Sequence, residues 1–339
     1  MILTYGNNTL RYNTRWFDYN IPDPYNPLHL RPYTIRVRIR AGERPSYNYN
    51  GLSDDVGALM EWTCVDETNN IWDFHFPYND WSGTNNITNT YSRLGNKNRI
   101  LEILGFNSRG IEDMSQLFIQ FGYVTEVPLF DTSTVTNMTN MFASCSVTTV
   151  PLYDTSNVTN MSGMFWNING NANHKLTSVP LFNTSKVTNM NSMFAQCYNI
   201  RTVPHFDTHL VTEFNAMFTH CTNLSTVPLF DMSSATDVSW MFWDCANLEE
   251  VPHFNTSNVE DMERFVEGCS KLTTLPLFNT SKVTDLDYAF AGTVGVTDRS
   301  GYDLYLQASR QATPPATHGQ AFRNCGPRVY LDQIPQDWK

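Results

Sequence analysis

The sequence predicts an α+β repeat fold: a leucine-rich-repeat-like solenoid of short strands and short helical turns, preceded by a small antiparallel β-domain. Three observations predict it. A segment of the type Val127-Pro128-Leu129-Phe130-Asp131-Thr132-Ser133 keeps returning, with its proline at 128, 151, 180, 204, 228, 252 and 276. A second block, Val135-Thr136-Asn137-Met138 followed by Met141-Phe142 and Cys145, holds fixed phase behind each proline. Ahead of the array, Tyr33 to Arg40 alternates apolar and basic residues at the period of a strand.

Consecutive prolines are separated by 23, 29, 24, 24, 24 and 24 residues. The long interval holds the insert Asn169-Gly170-Asn171-Ala172-Asn173-His174. A fixed period in this range marks repeats that bury their apolar faces only by stacking. Within a unit, the Val, Leu, Met, Phe and Cys positions share one interior. Met-Phe-x-x-Cys has helical spacing and predicts one helical turn. Leu-x-x-Val-Pro, as in Leu248 to Pro252, predicts a very short strand closed by a residue with no N–H. Asp/Asn-Thr-Ser predicts a turn in which the side chain bonds its own backbone.

A poorer copy begins at Ile111, and a degenerate one runs from Ala321 to Cys325 with Ile334-Pro335 behind it. Atypical end units are expected where one face meets solvent. About nine units at ~4.8 Å give a rod or shallow arc of roughly 40 Å. The expected organisation is a β-rich docking domain over 1–100, the repeat array over 101–296 and a capping repeat over 297–339.

Five of the seven cysteines (Cys145, Cys197, Cys221, Cys245, Cys269) share one repeat phase. Cys325 takes that phase in the last unit, and Cys64 stands apart. Ile168 and Phe121 fill the phase where cysteine is missing, which marks a packing position. There is no Cys-x-x-Cys pair, and the spacing fits no zinc pattern. The Asp/Asn column from Asp131 to Asn279 mixes both residues freely, so a turn role explains it better than calcium. His205 and His253 share a phase two units apart, roughly 10 Å, too far for one metal. No nucleophile triad, phosphate loop or zinc-protease motif is present, so neither an enzyme nor a cofactor or metal is expected.

The flanks carry other signals. Tyr19 to Pro27, with Tyr25 inside it, is a Pro-rich extended arm. In the alternating strand, Ile35, Val37 and Ile39 face a core while Arg36, Arg38 and Arg40 line the opposite face. The arm and the arginines suit docking on an acidic partner surface; a solvated strand face is the alternative. Glu61 to Val65 and Ile71 to Phe76 predict a hairpin. In the tail, Gln311 to Thr317 reads as a loop and the remainder as a cap.

Charged residues make up 16% and the net charge is -11, which gives no footprint for nucleic acid. No apolar run approaches the ~18 residues of a membrane span, so no membrane insertion is expected. Met1 to Asn7 lacks the basic and apolar regions of a signal peptide.

The unit Asp-Thr-Ser-x-Val-Thr-Asn-Met-x-x-Met-Phe-x-x-Cys-x-x-Leu-x-x-Val-Pro resembles the repeat of BspA-like leucine-rich-repeat surface proteins. These include surface proteins and lipoproteins of host-associated bacteria and mycoplasmas, and proteins of phages infecting gut bacteria. The resemblance covers roughly residues 103–293 and the terminal unit. It implies a non-catalytic adhesion module that binds host-surface proteins or glycans. This sequence lacks the signal peptide, lipobox and sorting signal of bacterial members. The expectation is therefore a tailed-phage virion protein (a fibre, decoration or receptor-binding subunit) joined to other virion proteins through its N-terminal domain. A bacterial cell-surface adhesin and a purely structural virion subunit are the alternatives, and homo-oligomerisation is left open.

Exceptions to the repeat nominate the site. Trp166 and Trp243 follow Met-Phe where other units hold smaller residues, and Trp240 breaks a column of Asn140, Gly163, Ser192 and Ala216. These tryptophans are the expected ligand-binding cluster, with His205 and His253 as further candidates. The competing reading is that they fill gaps in the core.

Overall fold

Hydrophobic alternation builds the N-terminal part. The computed structural model describes residues 3–5, 8–10, 34–43, 46–47, 61–75, 94–95, 99–168, 170, 174–311 and 314–339. In chain order its strands are β1 (Leu3–Tyr5), β2 (Asn8–Leu10), β3 (Thr34–Ile39), β4 (Ser46–Tyr47), β5 (Glu61–Asp66), β6 (Ile71–His75), β7 (Leu94–Gly95) and β8 (Ile100–Asn107). Four of them form an antiparallel sheet in the order β5-β6-β3-β8. Ile35, Val37 and Ile39 are buried on one face of β3, as their alternation requires. The β5–β6 pair is the expected hairpin, reversed through Asn70 at φ 52. The Pro-rich arm lies outside the described residues.

Strand β8 leads from the sheet into the repeats. Phe106 near its end meets Phe130 of the first full unit edge-on at 5.3 Å. Ser108 Oγ donates to the Asp131 carbonyl at 2.6 Å. The core of the sheet and the core of the repeats thus join in one buried cluster.

The α+β leucine-rich-repeat-like solenoid is corrected by the structure. Among the described residues of 108–299 there is neither an α-helix nor a strand. Among the described residues helix accounts for about 7% and strand for about 12%. Leu248 to Pro252 is not a strand, and Met-Phe-x-x-Cys is not a helical turn. Backbone handedness supplies the reason. Asn140 and Ser144 stand at φ 54 and 53, and later units repeat this at Ser192 and Gln196 and at Ala216 and His220. A left-handed residue every fourth position interrupts any α-helix.

Consecutive turns form instead. The Met141 N–H closes onto the Met138 carbonyl and the Cys145 N–H onto that of Phe142. The intervening N–H groups of Asn140, Phe142 and Ser144 donate to Ser162, Met164 and Trp166 of the next unit. Turn closure and inter-unit bonding therefore alternate along the backbone. One residue per unit forms a parallel bridge, from Asp113–Asn137 through Asp285–Thr317.

Polar residues of the consensus serve this stacking. The Ser133 N–H donates to Asp131 Oδ1 at 3.0 Å, and Ser185 does the same to Asn183 at 3.1 Å. Either side chain supplies the acceptor, so Asp and Asn interchange. Thr132 is buried and its hydroxyl donates to the Asp154 carbonyl one unit on, a bond repeated by Thr155, Thr184, Thr208 and Thr256.

A ladder of phenylalanines fills the interior. Phe118, Phe142, Phe165, Phe194, Phe218 and Phe242 stack at 5.4 to 5.7 Å between successive rings. Beside it the repeat cysteines are free and buried. Cys221, Cys245 and Cys269 donate S–H to the carbonyls of Phe194, Phe218 and Phe242 at 3.0 to 3.1 Å. Burial pushes the Cys145 and Cys221 thiols up to about 12, which leaves them without thiolate reactivity at neutral pH.

In the insert-bearing unit, Ile168 is only half-buried. The insert instead delivers His174 to the interior, 4.0 Å from Cys197 Sγ. At the C-terminus, α1 (Ser300–Ser309) and α2 (Arg328–Leu331) cover the last unit. Trp338 closes the ladder: its ring lies 6.1 Å from Phe322, and its carbonyl accepts the Phe322 N–H at 2.9 Å.

Candidate recognition patch

Two of the three predicted tryptophans meet. Trp240 and Trp243 pack edge-to-face with ring centroids 4.8 Å apart. Trp166 shares the phase of Trp243 but lies three units away, roughly 15 Å along the stack. The structure therefore separates it from the pair.

Sequence reasoning missed the partners of Trp240. Its column continues through Arg264 and Tyr288, one unit apart each. Arg264 Cζ lies 4.9 Å from the Trp240 ring and 4.4 Å from the Tyr288 ring. The guanidinium is thus held between two aromatic faces, a cation–π arrangement. Glu263 and Glu267 carboxylates pair with the same arginine, and Trp240 Nε1 donates to Glu263 Oε2 at 3.1 Å. Beyond Trp243 the His220 imidazole approaches its ring at 4.2 Å, and His220 Nδ1 is 3.2 Å from Asp244 Oδ2. All these side chains except exposed Asp244 are partly exposed.

The backbone beneath is unusual for such residues. Trp240, Arg264 and Tyr288 all have positive φ, at 60°, 52° and 56°. That region is a steric outlier for bulky side chains. Other units place Asn140, Gly163, Ser192 and Ala216 there. Large residues in this column are not needed by the stack.

The remaining predicted residues are engaged elsewhere. His205 and His253 are exposed, and each Nε2 bonds the carbonyl of the next unit, Leu229 at 2.9 Å and Leu277 at 3.0 Å. They do not join the tryptophans. Arg36 pairs with Asp73 at 2.7 Å, and Arg38 lies 3.5 Å from Glu102. Arg40 lies 3.9 Å from Glu43 and over the Tyr123 ring at 4.9 Å. The arginine stripe thus faces internal carboxylates. Tyr25 lies outside the described residues. Among the described residues, no group of three or more His, Cys, Asp or Glu is placed to hold a metal. No described helix is long and apolar enough to cross a membrane.

An acidic column runs beside the patch. The bridging position is Asn in three units, at 137, 160 and 189, and then Glu213, Asp237, Asp261 and Asp285. Burial and the neighbouring carboxylates, Asp237 and Asp285 among them, raise the pKa of Asp261. A raised folded-state carboxyl pKa means that the charged form opposes folding. Asp261→Asn is therefore expected to stabilise the protein at pH 7 by about 0.5 kcal/mol, a figure kept small by solvent screening. The amide retains the oxygen that accepts the Glu263 N–H at 2.9 Å. Thermal melts at pH 7 and pH 4 check this. The gain should vanish in acid, and a loss at pH 7 would refute the repulsion argument.

Residues 85–197, 168–274 and 236–300 each match one family model, described as "Mycoplasma protein of unknown function, DUF285". The chain belongs to this family. No curated protein and no solved structure matches it.

Proposed function

We propose that this DUF285 protein is a non-enzymatic surface recognition module, carried on a virion or a cell, that binds a glycan through the patch at Trp240, Trp243, Arg264 and Tyr288. One observation carries the reading. Three bulky residues occupy a left-handed backbone column that smaller residues fill in other units. Strained backbone retained under partly exposed side chains points to a role outside packing. Aromatic faces at partial exposure stack on sugar rings, while His220, Asp244 and the two glutamates offer hydrogen bonds to hydroxyls. The interior thiols, sealed by burial, are unsuited to nucleophilic chemistry. The BspA-like resemblance of the repeat fits the same role, and a tailed-phage virion is our preferred setting.

Glycan-array and host-cell binding test the proposal. Trp240→Ala and Trp243→Ala are each expected to weaken binding by about 30-fold, the effect of losing an interface anchor. Trp166→Ala, three units away, should bind as wild type. Unchanged binding by both patch variants would overturn the assignment.

A further inference from the structure

A second surface has no part in that patch. The residue after each repeat proline is Leu129, Leu152, Leu181, His205, Leu229, His253 and Leu277. The five leucines are 42 to 62% exposed. Local geometry puts them outside. The Phe182 N–H closes onto the Pro180 carbonyl, and Phe206, Phe254 and Phe278 repeat this with their own prolines. The residue between is the apex of a three-residue turn. Stacking the units lines these apices into one stripe with no acidic, lysine or arginine residue in it.

We propose that this stripe is a homodimer interface in which a second copy of the chain lies antiparallel, about a two-fold axis at the His205 unit. Size is the first argument. The leucines and the half-buried prolines beside them present on the order of 500 Å² of apolar surface. Two copies bury on the order of 1,000 Å², the lower bound of a specific interface. Charge is the second argument. A molecule of net charge -11 meets its own copy most readily on an uncharged face.

Register is the third. The column two residues after the stripe, exposed in every unit but the half-buried first, reads Asp131, Asp154, Asn183, Asp207, Asp231, Asn255 and Asn279. An antiparallel pairing centred on the fourth unit sets Asp131 against Asn279, Asp154 against Asn255 and Asn183 against Asp231. Each carboxylate then faces an amide. Only Asp207 meets its own copy, and it is bonded by His209 Nδ1 at 2.7 Å. In the stripe the same register sets Leu129 against Leu277 and Leu181 against Leu229. At the Leu277 end an open depression, bordered by His253, Phe254 and Gln307, lies where the facing leucine would sit. The two-fold makes the contact self-complementary, as an isologous interface requires.

Sedimentation of the full chain at micromolar concentration tests the state. Wild type should sediment as a dimer, and the double variant Leu181→Asp with Leu229→Asp as a monomer with an unchanged circular-dichroism spectrum at 25 °C. Val294→Asp, at an exposed position off the stripe, should stay dimeric. Single cysteines test the register in a Cys64→Ser background. His205→Cys should cross-link to itself, whereas Leu129→Cys should cross-link only when mixed with Leu277→Cys. A monomeric wild type, a dimer that survives both aspartates, or self-linking of Leu129→Cys would each overturn the proposal.

Discussion

Phe218→Ala is expected to lower the free energy of unfolding by about 3–5 kcal/mol, the cost of emptying a buried phenyl site. Phe218 is fully buried in the middle of the ladder. Its ring stacks on Phe194 at 5.5 Å and on Phe242 at 5.6 Å, and touches the second aromatic row at Phe230, 6.3 Å away. Collapse cannot fill the hole easily. The backbone on both sides is fixed by inter-unit bonds, including Phe218 N–H to Met241 and Phe194 N–H to Met217. The lesion also lies at a junction. In stacked repeats stability comes from neighbour contacts, so a central cavity weakens two interfaces at once. Urea denaturation of wild type and variant gives the difference. Broadening of the variant transition would show the two halves unfolding separately. A loss below about 1 kcal/mol would mean that the stacked rings contribute little beyond filling space.

What was legible in the sequence follows from which physical rule sets each feature. The unit boundaries, the buried cysteines and the interchange of Asp with Asn depend on side-chain chemistry at a fixed phase, and phase is visible in the chain itself. Alternation in Tyr33 to Arg40 gave β3 and its buried face for the same reason. The helical turn at Met-Phe-x-x-Cys failed because its spacing has two structural meanings. Apolar residues at i, i+3 and i+4 face inward on a helix, and they also face inward on tandem turns that carry a left-handed residue every four positions.

The same hidden handedness concealed half of the patch. Trp240 was visible as an outlier, but Arg264 and Tyr288 gain meaning only once their column is known to have positive φ. Following that column two units further would have found them. Helix α1 had a readable signal too, with Gly301, Leu304 and Ala308 at inward helical spacing. Nothing in the repeat predicted His174, because an insert breaks the phase on which every other inference rested.

Acid is expected to destabilise the protein through that histidine, by about 3 kcal/mol between pH 6.5 and pH 4. His174 is 2% exposed. Its Nε2 bonds the Phe165 carbonyl at 3.0 Å, so that nitrogen carries the proton of the neutral ring. Nδ1 is buried and finds no partner among the described residues, so adding a proton there creates a charge with no compensation. Burial accordingly lowers the pKa to about 4, against a smaller upward pull from the Phe165 carbonyl. The direction follows from proton binding. Between pH 6.5 and 4 the unfolded chain takes up a proton that the folded chain refuses, so stability falls as pH falls through this window. Above about 6.5 the contribution is fully present, and below about 4 the loss is complete. His174→Gln keeps an N–H for Phe165 and removes the titration. Carboxylates of the turn columns titrate equally in both proteins and cancel in the comparison. Denaturation curves at pH 7.5 and 4.5 should show wild type losing more stability than the variant, by most of that difference. Parallel losses would mean that acid admits water to the insert and that His174 titrates as an ordinary histidine.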